Sequence, residues 1–105
     1  MAELTREDVI AHISQRKSLR GFNLSGLDLS HCRLQGANVE SADLRGTNLQ
    51  GADLSGANLC GANLEDVDAL ETNFSGSSVD LANFCRVNFS RADLRRVDFS
   101  SARIT

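Results

Sequence analysis

Side chains that could ligate a metal or act as a nucleophile are few in this chain and widely spaced. The candidates are three cysteines, Cys32, Cys60 and Cys85, and two histidines, His12 and His31. A structural zinc site needs four such ligands, with members of a pair two to four residues apart, and no CxxC or HxxxH spacing occurs. The sequence therefore predicts no metal site, no cofactor and no nucleophilic catalysis.

Carboxylates are plentiful, and pairs of them could do general acid–base work. Most aspartates, however, share one place with the asparagines, directly before an apolar residue, as in Asp53-Leu54 and Asn58-Leu59. Every Asn of the chain occupies this place. Because the pattern recurs along the chain, it indicates a structural repeat and not a catalytic pair, and we predict that the protein is not an enzyme.

The repeat has a period of five residues. Such a period matches neither the 3.6 residues of a helical turn nor the two of a strand, so the chain must turn by a fixed angle every five residues. The residues at this central position are Leu24, Leu29, Leu34, Val39, Leu44, Leu49, Leu54, Leu59, Leu64, Ala69, Phe74, Val79, Phe84, Phe89, Leu94, Phe99 and Ile104.

The other positions keep the same register. A small residue such as Ala or Thr usually stands two places before the central residue, and Asn or Asp stands one place before it, except at Arg33, Ser78 and Arg103. All the glycines lie two places after it, where a type II turn needs a positive φ. We expect type II corners at the glycines and a different corner geometry where Asp66, Leu81, Arg86, Arg91 or Arg96 replaces glycine.

The cysteines and His31 find structural places in this register. Cys32 falls at the inward small position, whereas Cys60 and Cys85 fall at an outward position, too far apart for a disulfide, and should be surface thiols. His31 stands at a corner and should be solvated. With an odd number of cysteines and no secretion signal, free thiols in a reducing, cytoplasmic compartment are expected.

The repeats resemble the A-[DN]-L-x-x motif of the pentapeptide-repeat family over residues 22–105. The strings that carry the resemblance are Ala52-Asp53-Leu54-Ser55-Gly56, Ala57-Asn58-Leu59-Cys60-Gly61 and Ala62-Asn63-Leu64. The resemblance implies an all-β solenoid, a right-handed quadrilateral β-helix with four pentapeptides per square coil. The central and small residues would point inward, and the chain would make about four coils.

Ala69 is the one small residue at the central position. In a stack of twenty residues per coil it lies between Leu49 and Phe89 and should leave a hole, which costs a few kcal/mol if nothing moves. Either Phe89 leans into the hole, or the backbone over 68–71 deforms and turns Leu70 inward. The second outcome is favoured.

A solenoid exposes its core at both ends and usually needs caps. We expect residues 1–18 to form an N-terminal capping helix and residues 19–105 to form the β-helix. The helix should span about 6–16, with Thr5 as N-cap paired to Asp8. Its apolar stripe is predicted to consist of Val9, Ile10 and Ile13.

The C-terminal end has no predicted cap and is the most aromatic part of the chain. An open apolar end favours association. We therefore predict a homodimer formed end to end through Phe84, Phe89, Phe99 and Ile104. The alternative is that the chain is part of a longer protein.

Charge is distributed unevenly along the chain. The net charge is −3 overall, but residues 21–80 carry −7 and residues 81–105 carry +3. A general nucleic-acid binder would be basic overall, so we expect a protein partner and no direct nucleic-acid or membrane binding. The candidate surface for that partner is formed by Arg86, Arg91, Arg95 and Arg96.

Two functions follow from these expectations. The resemblance implies a non-enzymatic protein-binding or scaffold module, and this is the first hypothesis. Some bacterial members of the family mimic B-DNA and bind DNA gyrase, protecting it from fluoroquinolones. A gyrase modulator is therefore the alternative, favoured by the acidic middle and opposed by the basic C-terminal coil.

Overall fold

The computed structural model describes residues 2–105. One helix, α1, spans Arg6–Ser14, and two short strands, β1 (Asn83–Phe84) and β2 (Arg103–Ile104), pair in parallel. The rest of the chain is a succession of turns joined by single-residue bridges. The molecule measures 31 × 24 × 22 Å along its principal axes.

The bridges define a solenoid. Each one is parallel and joins residues twenty positions apart, from Asn23 and Asp43 at one end to Asn73 and Asp93 near the other. Within this ladder the Leu24 N–H donates to the Asp43 carbonyl at 2.7 Å, and the pattern continues from coil to coil. Regular strands stay short because the chain turns after every fifth residue.

All corners from Gly21 to Arg96 share a positive φ at the position that glycine usually occupies. The corner glycines have φ between 66° and 75°, and the non-glycine corners have φ between 56° and 62°. The predicted difference in corner geometry at Asp66, Leu81, Arg86, Arg91 and Arg96 is therefore not observed in this angle. Hydrogen bonds of the ladder hold the chain on both sides of each corner. A residue with a side chain, such as Leu81, must therefore adopt a left-handed backbone conformation that costs about 1–2 kcal/mol.

The Asn and Asp side chains explain their place in the repeat. Their Oδ1 atom accepts a hydrogen bond from the N–H two residues later, as from Ser55 to Asp53 (2.9 Å) and from Cys60 to Asn58 (3.0 Å). This bond makes a small turn at each corner. Within residues 2–105 it is missing after Arg33, Ser78 and Arg103, whose side chains offer no carbonyl or carboxylate oxygen.

The core is a column of central Leu, Val and Phe residues packed against small residues. At Ala69 the column continues without a fault, because the Ala69 N–H donates to the Asn88 carbonyl at 2.9 Å and Leu70 stays half-exposed. The predicted backbone deformation at 68–71 is therefore wrong. Val67, fully buried at the inward small position of the same repeat, supplies volume beside Ala69.

Helix α1 begins with a capping box. The Thr5 hydroxyl accepts from the Asp8 N–H, and the Asp8 carboxylate accepts from the Thr5 N–H. Val9 is buried and Ile13 is half-buried against the core, but Ile10 is 46% exposed. The prediction that Ile10 belongs to the buried stripe is wrong, because Ile10 lies about 80° around the helix from the middle of the face that Val9 and Ile13 share.

Candidate interaction surfaces

The C-terminal phenylalanines form one aromatic stack. Neighbouring rings of Phe74, Phe84, Phe89 and Phe99 lie 5.4–6.2 Å apart, mostly edge to face. Such pairs add about 0.5–1.5 kcal/mol each beyond their buried area. These contacts therefore stabilise the end of the solenoid.

The predicted interface residues lie at different depths in this end. Phe84 is 1% exposed and belongs to the core, so its ring cannot contact a partner directly. Phe89 and Phe99 are half-buried, and Ile104 is 49% exposed. Only the last three can contribute apolar surface, because Phe84 is covered by Ile104, its partner in the pairing of β1 with β2.

Two of the four candidate arginines are paired with acidic residues of the preceding coil. Arg86 lies 2.7 Å from Asp66 and 3.2 Å from Glu65, and Arg91 lies 3.7 Å from Glu71. The basic end and the acidic middle thus compensate each other where they meet. Exposed pairs of this kind contribute about 0–1 kcal/mol each.

The other two arginines lie beside Asp93. The Arg95 guanidinium donates to the Asp93 carboxylate at 2.7 Å, whereas Arg96 forms no ion pair within residues 2–105. The hydrogen bonds from Arg95 lower the pKa of Asp93 to about 2. Of the predicted partner surface, only Arg96 keeps an uncompensated charge.

A groove that the sequence did not indicate lies between α1 and the first coil. Its apolar part has a volume of about 370 Å³ and is lined chiefly by Ile10, Ile13, Leu34, Cys32 and the basic residues Arg6, His31 and Arg33. An adjoining, more polar cleft of about 460 Å³ follows the same helix towards Lys17 and Asn38. The consecutive departures from the repeat at 31–33 were the available signal.

Comparison with known protein families agrees with the five-residue repeat. A model of pentapeptide repeats matches in eight copies over residues 18–51, 42–79 and 70–105. The chain belongs to the pentapeptide repeat family.

Solved structures of pentapeptide repeat proteins share the fold. The protein alr5209 from Nostoc Pcc 7120 is 17% identical with a TM-score of 0.75, and 92% of this chain matches 93% of that one. Rfr23 from the cyanobacterium Cyanothece 51142 is 29% identical with a TM-score of 0.58, over 79% of this chain and 60% of that one. QnrB1, a plasmid-mediated fluoroquinolone resistance protein, is 21% identical with a TM-score of 0.50, over 85% and 53%.

Two of these relatives are considerably longer than the matched region. This pentapeptide repeat protein spans 60% of the length of Rfr23 and about half that of QnrB1. Comparison with curated proteins gives no significant match.

The cysteines of this pentapeptide repeat protein are free thiols. Cys32 is buried and Cys60 half-buried, as their repeat positions indicate, but Cys85 is only 3% exposed. The prediction of a surface thiol is wrong at Cys85, a residue with a short side chain whose backbone carbonyl accepts a hydrogen bond from the Asp66 N–H of the preceding coil. Burial raises the pKa of the Cys32 thiol.

Within residues 2–105, no group of three or more His, Cys, Asp or Glu side chains could hold a metal ion. Over the same residues, no helix has the length and apolar character required to cross a membrane.

Proposed function

We propose that this pentapeptide repeat protein is a non-enzymatic binding module that presents rigid surfaces to other proteins. The supporting observation is the contrast between its body and its C-terminal end. Along the body, side chains such as Arg86 and Asp66 are paired. At the end, Phe89, Phe99 and Ile104 leave apolar surface open to solvent.

The architecture we propose for this module is a right-handed quadrilateral β-helix of about four coils over residues 19–105, with residues 1–18 as its cap. Bridges twenty residues apart fit four pentapeptides per coil. Helix α1 lies on the first coil through the buried Val9 side chain. The apolar surface of Phe89, Phe99 and Ile104 is the part of such a solenoid that would associate.

We further propose that the open end joins two copies of the chain. Light scattering at about 50 μM should then give twice the chain mass of 11.3 kDa. Ile104→Glu places a charge in the interface and should give the monomer. Ile10→Glu, which changes an isoleucine of similar exposure at the other end, is the matched control and should leave the dimer intact.

A monomer for the unchanged chain at that concentration would refute the homodimer. It would leave the binding role itself open to a direct test. Capture from a lysate of the native host, with retained proteins identified by mass spectrometry, should then yield a specific partner that charge reversal at Arg96 weakens. Retention unaffected by any surface variant would contradict the proposal.

Modulation of DNA gyrase is a second candidate. It is favoured by the net charge of −7 over residues 21–80. The pairing of Arg86 and Arg91 with that acidic region weakens the required negative surface. A supercoiling assay at high protein excess tests the candidate, and unchanged gyrase activity with and without a fluoroquinolone would eliminate it.

A further inference from the structure

The N-terminal edge of the first coil has four bridging positions, and three of them are covered by earlier residues. At the first, the Glu3 N–H donates to the Asn23 carbonyl at 2.7 Å and the Glu3 carboxylate accepts from the Asn23 N–H. At the second, the Arg6 guanidinium donates to the Asp28 carbonyl at 2.8 Å. At the fourth, the Leu19 N–H donates to the Asn38 carbonyl at 2.8 Å.

The third bridging position, Arg33, is left open. Neither its N–H nor its carbonyl bonds to another group within residues 2–105. One coil later, the Asp53 N–H donates to the Cys32 carbonyl and the Asp53 carbonyl accepts from Leu34. Because an arginine replaces the usual Asn or Asp, the Gln35 N–H also lacks its turn acceptor, so two donors and one acceptor have no partner within residues 2–105.

This open edge lies in the groove beside α1. Arg33 and Leu34 form one wall, and Ile10 and Ile13 of the helix form the other. The exposed Ile10 side chain has no structural explanation in the core, but it is well placed to contact an apolar side chain in the groove.

The groove is also positively charged. Arg6 and Arg33 line its apolar part, Arg16 and Lys17 line the adjoining cleft, and no carboxylate among residues 2–105 lines either part. The Arg6 charge is partly compensated by Asp28 at 3.6 Å, whereas Arg33 is exposed and forms no ion pair within residues 2–105. The preferred occupant is therefore anionic, in contrast to the acidic body of the molecule.

We propose that an extended acidic segment of a partner protein docks at Arg33 by adding a short strand to the first coil. Its backbone pairs with the free N–H and carbonyl groups of Arg33, a carboxylate meets the guanidinium, and an aliphatic side chain packs on Ile10 and Ile13. This inference rests on the proposed function as a binding module and names its surface.

Two other occupants fit less well. A single-stranded nucleic acid would need successive aromatic side chains for base stacking, and the lining of both clefts offers only the His31 ring. The open end of a second copy belongs to the region with a net charge of +3 and carries Arg103 at the bridging position, so its charge has the same sign as the groove.

The test selects peptides from a random linear library displayed on phage, using the whole chain as the immobilised target. The selected peptides should be acidic with at least one aliphatic residue. Arg33→Asn, which restores the consensus residue of the repeat, should weaken their binding by about tenfold or more, the loss of one charge-assisted hydrogen bond. Arg103→Asn changes the same repeat position at the other end and should have no effect.

A second pair of variants tests the apolar wall. Ile10→Glu should abolish binding of the selected peptides, and Ile104→Glu should leave it unchanged. In NMR spectra of the unchanged chain, added peptide should shift the amide signals of Arg33 and Gln35 and slow their exchange with solvent.

The outcomes separate this site from the general function. Selected peptides without an acidic bias, equal losses at Arg33 and Arg103, or failure to select any peptide would overturn the groove assignment. If peptides bind elsewhere, the binding module stands and only its surface is wrong. Loss of self-association in Ile10→Glu would identify a second copy as the occupant and overturn the partner assignment.

Discussion

Alanine substitution at Gly51 and Gly56 tests how the corners are held. The two glycines occupy equivalent corners with the same φ of +66°. A Cβ atom added at Gly56 would meet nothing within 4 Å, whereas one added at Gly51 would lie 2.5 Å from Nδ1 of His31. The pair therefore separates backbone strain from a side-chain clash.

The expected magnitudes follow from this geometry. Gly56→Ala should cost about 1 kcal/mol, the lower end of the range for a Cβ in the left-handed region. Gly51→Ala should cost that amount plus about 0.5–1.5 kcal/mol for forcing the His31 ring from its rotamer. In a His31→Ala background the second cost should vanish, and the two substitutions should become equal.

Urea unfolding followed by far-UV circular dichroism measures these differences, because the chain has no Trp or Tyr for a fluorescence signal. The double-mutant cycle between Gly51 and His31 then gives their coupling directly. Equal costs at Gly51 and Gly56 in the unchanged background would refute the placement of His31 over the neighbouring corner. An unaffected midpoint for Gly56→Ala would refute the strain argument itself.

Three further predictions concern buried hydroxyls, an exposed carboxylate and a strained corner. Thr47→Val should raise the free energy of unfolding by about 1 kcal/mol, because the buried Thr47 hydroxyl has no hydrogen-bond partner within residues 2–105. Thr72→Val should lower the free energy of unfolding by about 1 kcal/mol, because it removes a 2.6 Å hydrogen bond from the Thr72 hydroxyl to a backbone carbonyl. The opposite signs should appear in urea midpoints, and equal losses would contradict the assignment. The pKa of Asp93 is lowered to about 2, below its unfolded value of about 3.9, so its stabilising contribution is present above pH ~4 and is lost as the pH falls towards 2. Arg95→Gln should raise the pKa of Asp93 in an NMR titration and reduce the loss of stability at low pH. An unchanged titration of Asp93 would exclude Arg95 as the cause of its lowered pKa. Leu81→Gly should raise the melting temperature by about 4–8 °C, because Leu81 is 78% exposed and strained at φ 61°, and a lower melting temperature would show that its side chain contributes packing.

The five-residue pattern predicted most of the fold because every position in it has a local cause. Central Leu and Phe side chains fill the column, and Asn or Asp closes each corner through the N–H two residues later. Departures from the pattern were harder to interpret. Ala69 indicated a fault, yet ladder bonds on both sides hold its backbone in register and Val67 supplies volume.

Corner residues show the same limit. From the sequence, Leu81 and Arg91 indicate corners unlike those of glycine, since a side chain disfavours positive φ. In the structure they share the positive φ of the glycines, because hydrogen bonds between the residues on either side of them and the preceding coil impose it. Local preference was overridden by a cooperative ladder.

The sequence also indicated only part of the candidate surfaces. The sequence indicated an apolar C-terminal end, but the depth of Phe84 and the pairing of Arg86 depend on residues one coil away. It did not indicate the groove at Arg33. That groove forms only where α1 replaces a preceding coil and leaves one bridging position without a partner.

The period of five and the capping box at Thr5 were determined by the sequence alone, because both arise from residues a few positions apart. Which side chains are compensated, covered or left open was decided only by the tertiary structure. Contacts between residues about twenty positions apart set most of those outcomes, and the absence of such a contact on its outer edge within residues 2–105 leaves the backbone of Arg33 open.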